Sequence, residues 1–190
     1  MQDKQLLLKN IHCLLIDSSK KPLYNVDMLI TGSLITAIEE HGKLSSAGMS
    51  KIIDCSHHVV LPGFVNTHHH FYQTLTRNLV QVQNAELFDW LKYLYHIWKH
   101  LDERAVRVSS LLAMGELLKT GCTCTTDHHY LYPRSVHADF MGIQFEAADM
   151  LGMRFSPTRG SMSLSQKDGG LPPDSVVQNA EEILADSERV

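Results

Sequence analysis

The chain has 190 residues, of which 44% are hydrophobic and 20% charged, the proportions of a soluble globular protein. A net charge of -4 with scattered Lys and Arg argues against a nucleic-acid-binding protein, and no apolar stretch approaches the roughly 20 residues of a membrane span. The four cysteines do not indicate a disulfide framework, and residues 1–5 (MQDKQ) lack the pattern of a secretory signal, so we expect a cytoplasmic protein.

The first 60 residues predict a small all-β module. Residues 6–17 are rich in Leu and Ile and predict one long strand or a strand pair. Residues 26–30 and 34–38 predict two strands around a tight turn at Gly32. Residues 52–55 and 57–60 predict another short pair. We therefore assign residues 1–60 to a separate β segment.

From residue 61 the pattern changes to alternating strands and helices, which is typical of a parallel α/β architecture. Strands are predicted at 61–67, 122–126 and 153–158. Four helices are predicted. The first covers residues 86–100, the second begins after a cap at Asp102 and ends at Gly121, and the third covers residues 137–151. The fourth begins at Pro172, Pro173 and Asp174. Residues 61–190 thus predict a second domain built on three parallel strands.

The first of these strands runs into a histidine cluster, because residues 61–70 read LPGFVNTHHH. Side chains two apart on an extended chain point the same way, so His68 and His70 are predicted to project together, with His69 on the opposite face. Two neutral imidazoles at a strand end form half of a first-row metal site. The alternative is a chance cluster, since the chain carries 12 histidines. We favour the metal site.

The run from Val59 to His70 resembles the first barrel strand of the amidohydrolase superfamily, in which Pro-Gly precedes a short apolar run and His-x-His. Further segments are similar to its 8-oxoguanine deaminase and hydroxyatrazine aminohydrolase branch. They are FYQTLTR (71–77), AELFDWL (85–91), TGCT (120–123) with Asp127 and His128, MRF (153–155) with TRG (158–160), and GGLPPD (169–174). The resemblance covers the chain from about residue 6 onward, although His-x-His does not separate the two members of that branch, because both need the same hydroxide.

For the fold, the resemblance implies a metal-dependent amidohydrolase (β/α)8 TIM barrel. Residues 61–190 would be its N-terminal part, with about the first three strands, and residues 1–60 a segment of a small N-terminal β-sandwich. A full barrel takes about 250 residues, so we expect the chain to be a fragment, a truncated gene product or an incomplete record of such an enzyme.

For the function, the resemblance implies one divalent metal ion, zinc first and iron as the alternative, held by His68, His70, and a later His and Asp. Such an ion lowers the pKa of a bound water and so supplies the nucleophile. The acid–base residues of the family, a Glu and a His, lie on later strands, so none is predicted in this chain.

The expected substrate is a small heterocycle, 8-oxoguanine or a related aminopurine, which hydrolysis converts to the hydroxylated ring and ammonia. An N-alkylated hydroxytriazine is the alternative substrate. A third hypothesis is a catalytically inactive truncated chain that serves as a folding remnant or interaction module. Family analogy also implies a homo-oligomer.

Three further side chains are candidates for substrate binding. The resemblance places a substrate contact at Gln73, whose amide can donate and accept hydrogen bonds, although a surface glutamine is the alternative. Tyr130 could stack on a flat ring or bond to it, or simply pack in the core. Arg159 could bind a ring carbonyl or pair with a carboxylate.

Cys122 and Cys124, followed by His128 and His129, suggest a second metal site. Thiolate sites usually separate their cysteines by two residues or more, so we favour small packed thiols. In the branch that the chain resembles, a cysteine at the position of Cys122 is expected near the substrate. Cys124 replaces the usual small residue, which leaves the identity of the relevant thiol open.

Overall fold

The structure, a computed structural model, describes residues 4–190. Residues 1–3, part of the segment in which we expected no secretory signal, lie outside the described residues. The chain divides into two compact units, Met1–Pro62 and Gly63–Val190. None of the helices in the described part of the chain combines the length and the apolar character needed to cross a membrane.

The first unit is built on one five-stranded sheet. Its strands are β1 (Gln5–Leu14), β2 (Leu23–Thr31), β3 (Leu34–Glu40), β4 (Lys51–Asp54) and β5 (Val59–Val60). β1 is a single long strand, and β2 and β3 form an antiparallel hairpin around Gly32, whose φ of 60° suits a glycine. The order is β3-β2-β1-β4, with β5 also paired to β1.

Our prediction that β4 and β5 pair with each other is wrong. Both strands run parallel to β1, with Leu6 opposite Lys51 in one ladder and Cys13 opposite Val59 in the other. β1 has 10 residues, so one of its edges can accept two short strands in succession. The described residues of this unit form one sheet, and the second sheet of a sandwich stays a prediction.

A buried carboxylate, Asp27, organises the polar interior of this unit. Its Oδ1 accepts the Asn10 amide at 2.7 Å and contacts the His41 ring Nδ1 at 2.8 Å, while its Oδ2 accepts the Gly42 amide at 2.9 Å. Asn10 lies in a bulge of β1 with φ 56°, which turns its N–H toward the carboxylate. Burial raises the pKa of Asp27, but these bonds outweigh it and hold the pKa below its ordinary value.

The second unit alternates short strands with helices. Its elements are β6 (Phe64–Asn66), α1 (Leu87–Trp98), α2 (Glu103–Lys119), β7 (Cys122–Thr125), β8 (His128–His129), α3 (Phe140–Leu151), β9 (Arg154–Phe155), β10 (Thr158–Arg159) and α4 (Ala180–Arg189). A 3-10 helix, Phe71–Thr76, follows β6. Two parallel sheets, β6-β7-β9 and β8-β10, place the three predicted strands side by side in chain order. The second predicted strand is divided into β7 and β8, and the third into β9 and β10.

The first strand is shorter than predicted, because β6 covers only Phe64–Asn66 and residues 67–70 lie outside it. Strict alternation of side chains therefore does not extend to the histidines. The unit is packed by two apolar clusters whose largest members are Tyr72, Trp98 and Phe140 in one, and Phe71 and Met114 in the other.

Local hydrogen bonds set the helix ends. Asp102 caps α2 by accepting the Ala105 amide at 2.8 Å, and Gly121, with φ 85°, follows its last turn. α3 begins at Phe140 and not at residue 137, because Asp139 accepts the Gly142 amide at 2.9 Å and so makes the cap.

The start of the last helix was predicted wrongly at Pro172–Asp174. Residues Asp174–Val176 form only a 3-10 turn, since Val177 is extended with φ -98° and ψ 149°. α4 begins at Ala180, where Asn179 and Glu182 form a capping box. Two competing start signals lie six residues apart, and the complete capping box determines the helix.

Candidate active site

Three segments that follow the parallel strands lie next to one another. The His128 amide donates to the His69 carbonyl at 2.9 Å, and the Thr158 amide to the Asp127 carbonyl at 2.8 Å. Parallel strands end at the same edge of a sheet, so side chains after each strand meet there. Residues 67–70, 127–130 and 158–160 therefore form one continuous surface.

His68 and His70 are brought together on this surface. Their ring centroids lie 5.1 Å apart with an interplanar angle of 85°. His70 Nδ1 lies 2.8 Å from the His128 carbonyl oxygen, which can only accept, so Nδ1 carries the proton and Nε2 keeps its lone pair. Metal-binding histidines are typically oriented by such a bond from the other ring nitrogen.

The electrostatic environment favours the neutral form that a metal ligand needs. Burial lowers the pKa of His70, and the nearby His68 and His128 add to the decrease, against the opposing effect of the His128 carbonyl. Two imidazoles supply half of a four-ligand zinc site. Within residues 4–190 no group of three or more His, Cys, Asp or Glu has metal-binding geometry, so the pair stands alone here.

A cavity of about 600 Å³ lies beside the pair, with His68, His70, Gln73, Arg77 and Trp90 among the residues that line it. This volume falls within the usual range for small-molecule sites. His69 also contributes to the wall, and its ring packs against Phe71 at 4.9 Å.

One of the predicted substrate-binding residues, Gln73, lines this cavity, and a second, Tyr130, contacts both Gln73 and His70. The Gln73 side-chain amide donates to the Tyr130 hydroxyl at 3.1 Å, and the Tyr130 ring lies 5.3 Å from the His70 ring. The structure thus brings His68, His70, Gln73 and Tyr130 into one group of contacts.

Cys122 is placed elsewhere. It lies at the start of β7, opposite Phe64, six residues before His128, a separation of roughly 20 Å along an extended chain. Its thiol is buried and contacts the Cys124 carbonyl at 3.2 Å. The structure therefore does not bring Cys122 to the histidine pair, and its geometry is that of a packed thiol.

Arg159 also has its hydrogen bonds committed within the protein. Its side chain is 4% exposed and donates to Asp186 at 2.9 Å and to Gln178 at 2.7 Å, while its guanidinium lies 4.2 Å from the Tyr132 ring centroid. Of the two interpretations of this residue, the structure shows pairing with a carboxylate.

The burial of Asp127 is a feature that the sequence did not predict. Its carboxylate is 0% exposed, and it accepts the Phe71 amide at 2.7 Å and the Gln144 side chain at 2.6 Å. Burial raises its pKa to about 6, and these two bonds oppose that rise only in part. In the sequence, an Asp followed by two His gives no sign of burial, so the resemblance that includes Asp127 did not indicate that its carboxylate is buried.

His129 is the second missed feature. Its ring is fully buried among Tyr72, Tyr132 and Phe140, with Nε2 at 3.0 Å from the Leu131 carbonyl. Burial lowers its pKa to about 4, so the ring is neutral at pH 7. Alternation along β8 could have separated this buried ring from the exposed His128 before it.

The family model described as the amidohydrolase family matches residues 59–190. The chain belongs to the amidohydrolase family. It is 55% identical over 137 residues to the 8-oxoguanine deaminase of Pseudomonas aeruginosa, a match that covers 72% of this chain and 30% of that protein. It is 36% identical over 142 residues to the hydroxydechloroatrazine ethylaminohydrolase of Pseudomonas sp. strain ADP, covering 74% of this chain and 30% of that protein.

Solved structures agree with this assignment. The crystal structure of atrazine chlorohydrolase from Arthrobacter aurescens TC1, complexed with zinc, superposes with a TM-score of 0.84 at 26% identity, covering 95% of this chain and 41% of that chain. The family and branch that the sequence resembles are thus confirmed. The matched regions span 30% of the length of both curated relatives, and the described residues contain neighbouring parallel strands without a closed barrel.

Proposed function

We propose that this chain carries the first two metal ligands of a metal-dependent hydrolytic deaminase that acts on an amino-substituted heterocycle and releases ammonia. His68 and His70 would hold one divalent ion, zinc first and iron as the alternative. The observation that carries the proposal is the bond of His70 Nδ1 to the His128 carbonyl, 2.8 Å, which leaves Nε2 available beside the His68 ring.

A divalent ion bound there supplies the Lewis acid that activates water near neutral pH. Gln73 would contact an edge of the substrate ring from the cavity wall, with Tyr130 fixing the Gln73 amide. General acid–base groups would come from the part of the enzyme outside the matched region. Cys122 and Arg159 stay outside this proposal, because one lies at the other end of its strand and the other is bonded to Asp186.

Residues 61–190 would form the first three strands of a (β/α)8 TIM barrel, and residues 1–60 part of a β-sandwich. The proposed substrate is 8-oxoguanine or a related purine, supported by 55% identity to an 8-oxoguanine deaminase against 36% to a hydroxytriazine-type enzyme. The hydroxytriazine is the alternative substrate, and an inactive chain is the alternative to both. Homo-oligomerisation and cytoplasmic location stay predictions.

The test is release of ammonia, or of the alkylamine from an N-alkylated hydroxytriazine, by the protein expressed from the complete reading frame that contains this chain, loaded with Zn²⁺ or Fe²⁺. We expect turnover of 8-oxoguanine above that of guanine and hydroxytriazines, and at least a hundred-fold loss in His70→Ala. His58→Ala, an exposed histidine of the first unit, is the matched control and should retain activity. Absence of ammonia from every substrate with either metal would contradict the deaminase proposal.

A further inference from the structure

Asp127 is a buried carboxylate whose partners in the described part of the chain are all neutral. The Phe71 amide and the Gln144 side chain donate to it, and no Lys, Arg or His of residues 4–190 forms a salt bridge with it. Burying an ionised carboxylate without a cation opposes folding, and an apolar residue of similar volume would serve the core better. The position of this residue therefore calls for a role beyond packing.

That position is directly beside His70. Phe71, which donates to Asp127 at 2.7 Å, is the residue after His70 and the first of the 3-10 helix Phe71–Thr76. His70 precedes this helix and makes no side-chain cap of its own. The Asp127 carboxylate thus accepts the Phe71 N–H, a first-turn donor that the side chain of an N-cap residue usually bonds.

The next residue, His128, bonds through its backbone carbonyl to the ring of His70. The His128 carbonyl accepts from His70 Nδ1 at 2.8 Å, so two consecutive residues after β7 bond to His70 and to the residue that follows it. Asp127 fixes the backbone that follows His70, and the His128 carbonyl fixes the rotation of its imidazole. Neither contact alone would determine where Nε2 lies.

From this arrangement we infer that Asp127 is a positioning residue, which anchors the Phe71 amide and so holds His70 in place for a divalent cation. The inference rests on the proposed metal site at His68 and His70. Asp127 is not assigned as a ligand of the ion, because its two oxygens accept from Phe71 and Gln144.

Gln144 provides the comparison that separates positioning from packing. It lies on α3, is buried, and donates to the second carboxylate oxygen of Asp127 at 2.6 Å without contacting the histidine segment. Gln144→Leu therefore removes a hydrogen bond of the same carboxylate while leaving the bond to Phe71. Asp127→Asn is the conservative variant, because its amide oxygen can still accept the Phe71 N–H.

The experiment is isothermal titration of the 190-residue chain with Zn²⁺ alone, using the double variant His68→Ala/His70→Ala to subtract binding at other histidines. We expect Asp127→Ala to weaken Zn²⁺ binding 10- to 100-fold. Asp127→Asn and Gln144→Leu should stay within about threefold of the wild type. Equal losses in Asp127→Ala and Gln144→Leu, or wild-type affinity in Asp127→Ala, would overturn the inference.

Because Asp127→Ala could fail to fold, a measurement on the wild-type chain accompanies it. Binding and positioning are linked reciprocally, so saturating Zn²⁺ should slow hydrogen exchange of the Phe71 amide and leave amides of α4 unchanged. Unchanged exchange at Phe71, with the His68 and His70 rings shifted by Zn²⁺, would overturn the role of Asp127 alone. Zn²⁺ binding that is equal in the wild type and the His68→Ala/His70→Ala variant would overturn the metal site itself.

Discussion

Within residues 4–190 each unit buries one aspartate completely, Asp27 in the first and Asp127 in the second, and their pKa values shift in opposite directions. Asp27 contacts two backbone amides and the His41 ring, and its pKa lies below the ordinary value. Asp127 has one backbone amide and one neutral side-chain amide, and its pKa rises to about 6.

Asp127 lies deeper in its unit than Asp27 does, and fewer groups donate to it, so both its burial and its hydrogen bonds leave its pKa higher than that of Asp27. Burial raises the pKa of both groups, and only where several donors converge does hydrogen bonding to the charged form outweigh it. The ionised form of Asp27 therefore stabilises the first unit, whereas the surroundings of Asp127 disfavour its ionised form. A residue of the second kind, next to a proposed metal ligand, is where we expect function to oppose stability.

The largest effect is expected at Asp27. Asp27→Ala removes a buried carboxylate and its charged hydrogen bonds from the Asn10 and Gly42 amides, so residues 4–62 should lose about 4 kcal/mol of unfolding free energy. Hydrogen-exchange mass spectrometry of peptides from this unit measures the loss. Asp17→Ala, at an exposed carboxylate of the same unit, should leave exchange unchanged. A small loss in Asp27→Ala would break the contrast between the two aspartates.

The pH dependence of the same two residues has opposite signs. The folded-state pKa of Asp27 is below 3.8, so its contribution is full above about pH 4 and is lost as the pH falls further. The folded-state pKa of Asp127 is above its ordinary 3.8, so its contribution is full below about pH 4 and is lost as the pH rises through about 6.

Asp127→Asn should therefore stabilise the metal-free second unit at pH 7.5. The difference between about 6 and 3.8 corresponds to about 3 kcal/mol, and the advantage of the variant should vanish near pH 4. Urea unfolding followed by fluorescence reports this unit, because both tryptophans, Trp90 and Trp98, lie in it.

The comparison must be made between variant and wild type at each pH. His129 has a folded pKa of about 4, below the ordinary 6.5, so it destabilises the same unit as the pH falls from about 6.5 to 4. In the pH profile of the wild type, the effect of His129 on stability opposes that of Asp127. It cancels when the stability of the wild type is subtracted from that of Asp127→Asn at the same pH. A variant that is equally destabilised at pH 4 and pH 7.5 would show that Asp127 is an ordinary structural anion.

The smallest effect is expected at an exposed carboxylate. Glu116 pairs with Arg77 through two bonds of 2.9 Å, but both side chains are about half exposed, at 48% and 52%. Water and salt screen such pairs, so Glu116→Gln should leave the urea midpoint of the second unit unchanged. A clear shift of the urea midpoint would mean that exposed carboxylates such as Glu116 contribute to stability as buried ones do.

The sequence could predict features that depend on neighbours in the chain. The His-x-His spacing, the cap at Asp102 and the glycines after α2 and α3 are local signals, and the structure places His68 beside His70. The start of α4 was missed because two local signals compete, at Pro173 and at Asn179.

Features that depend on distant partners could not be predicted. β4 and β5 both join β1, which no local pattern specifies. The burial of Asp127 depends on Phe71 and Gln144, which lie far from it in the sequence. The guanidinium of Arg159 can bind either a substrate carbonyl or a carboxylate. The choice depends on the packing of α4, which brings Asp186 to it.

The most direct test is anomalous diffraction at the zinc edge from crystals of this chain soaked in Zn²⁺. We expect one peak about 2.0–2.1 Å from a ring nitrogen of each of His68 and His70, with His70 Nδ1 still bonded to the His128 carbonyl. A peak at other histidines or at Cys122 and Cys124, with none between His68 and His70, would contradict it.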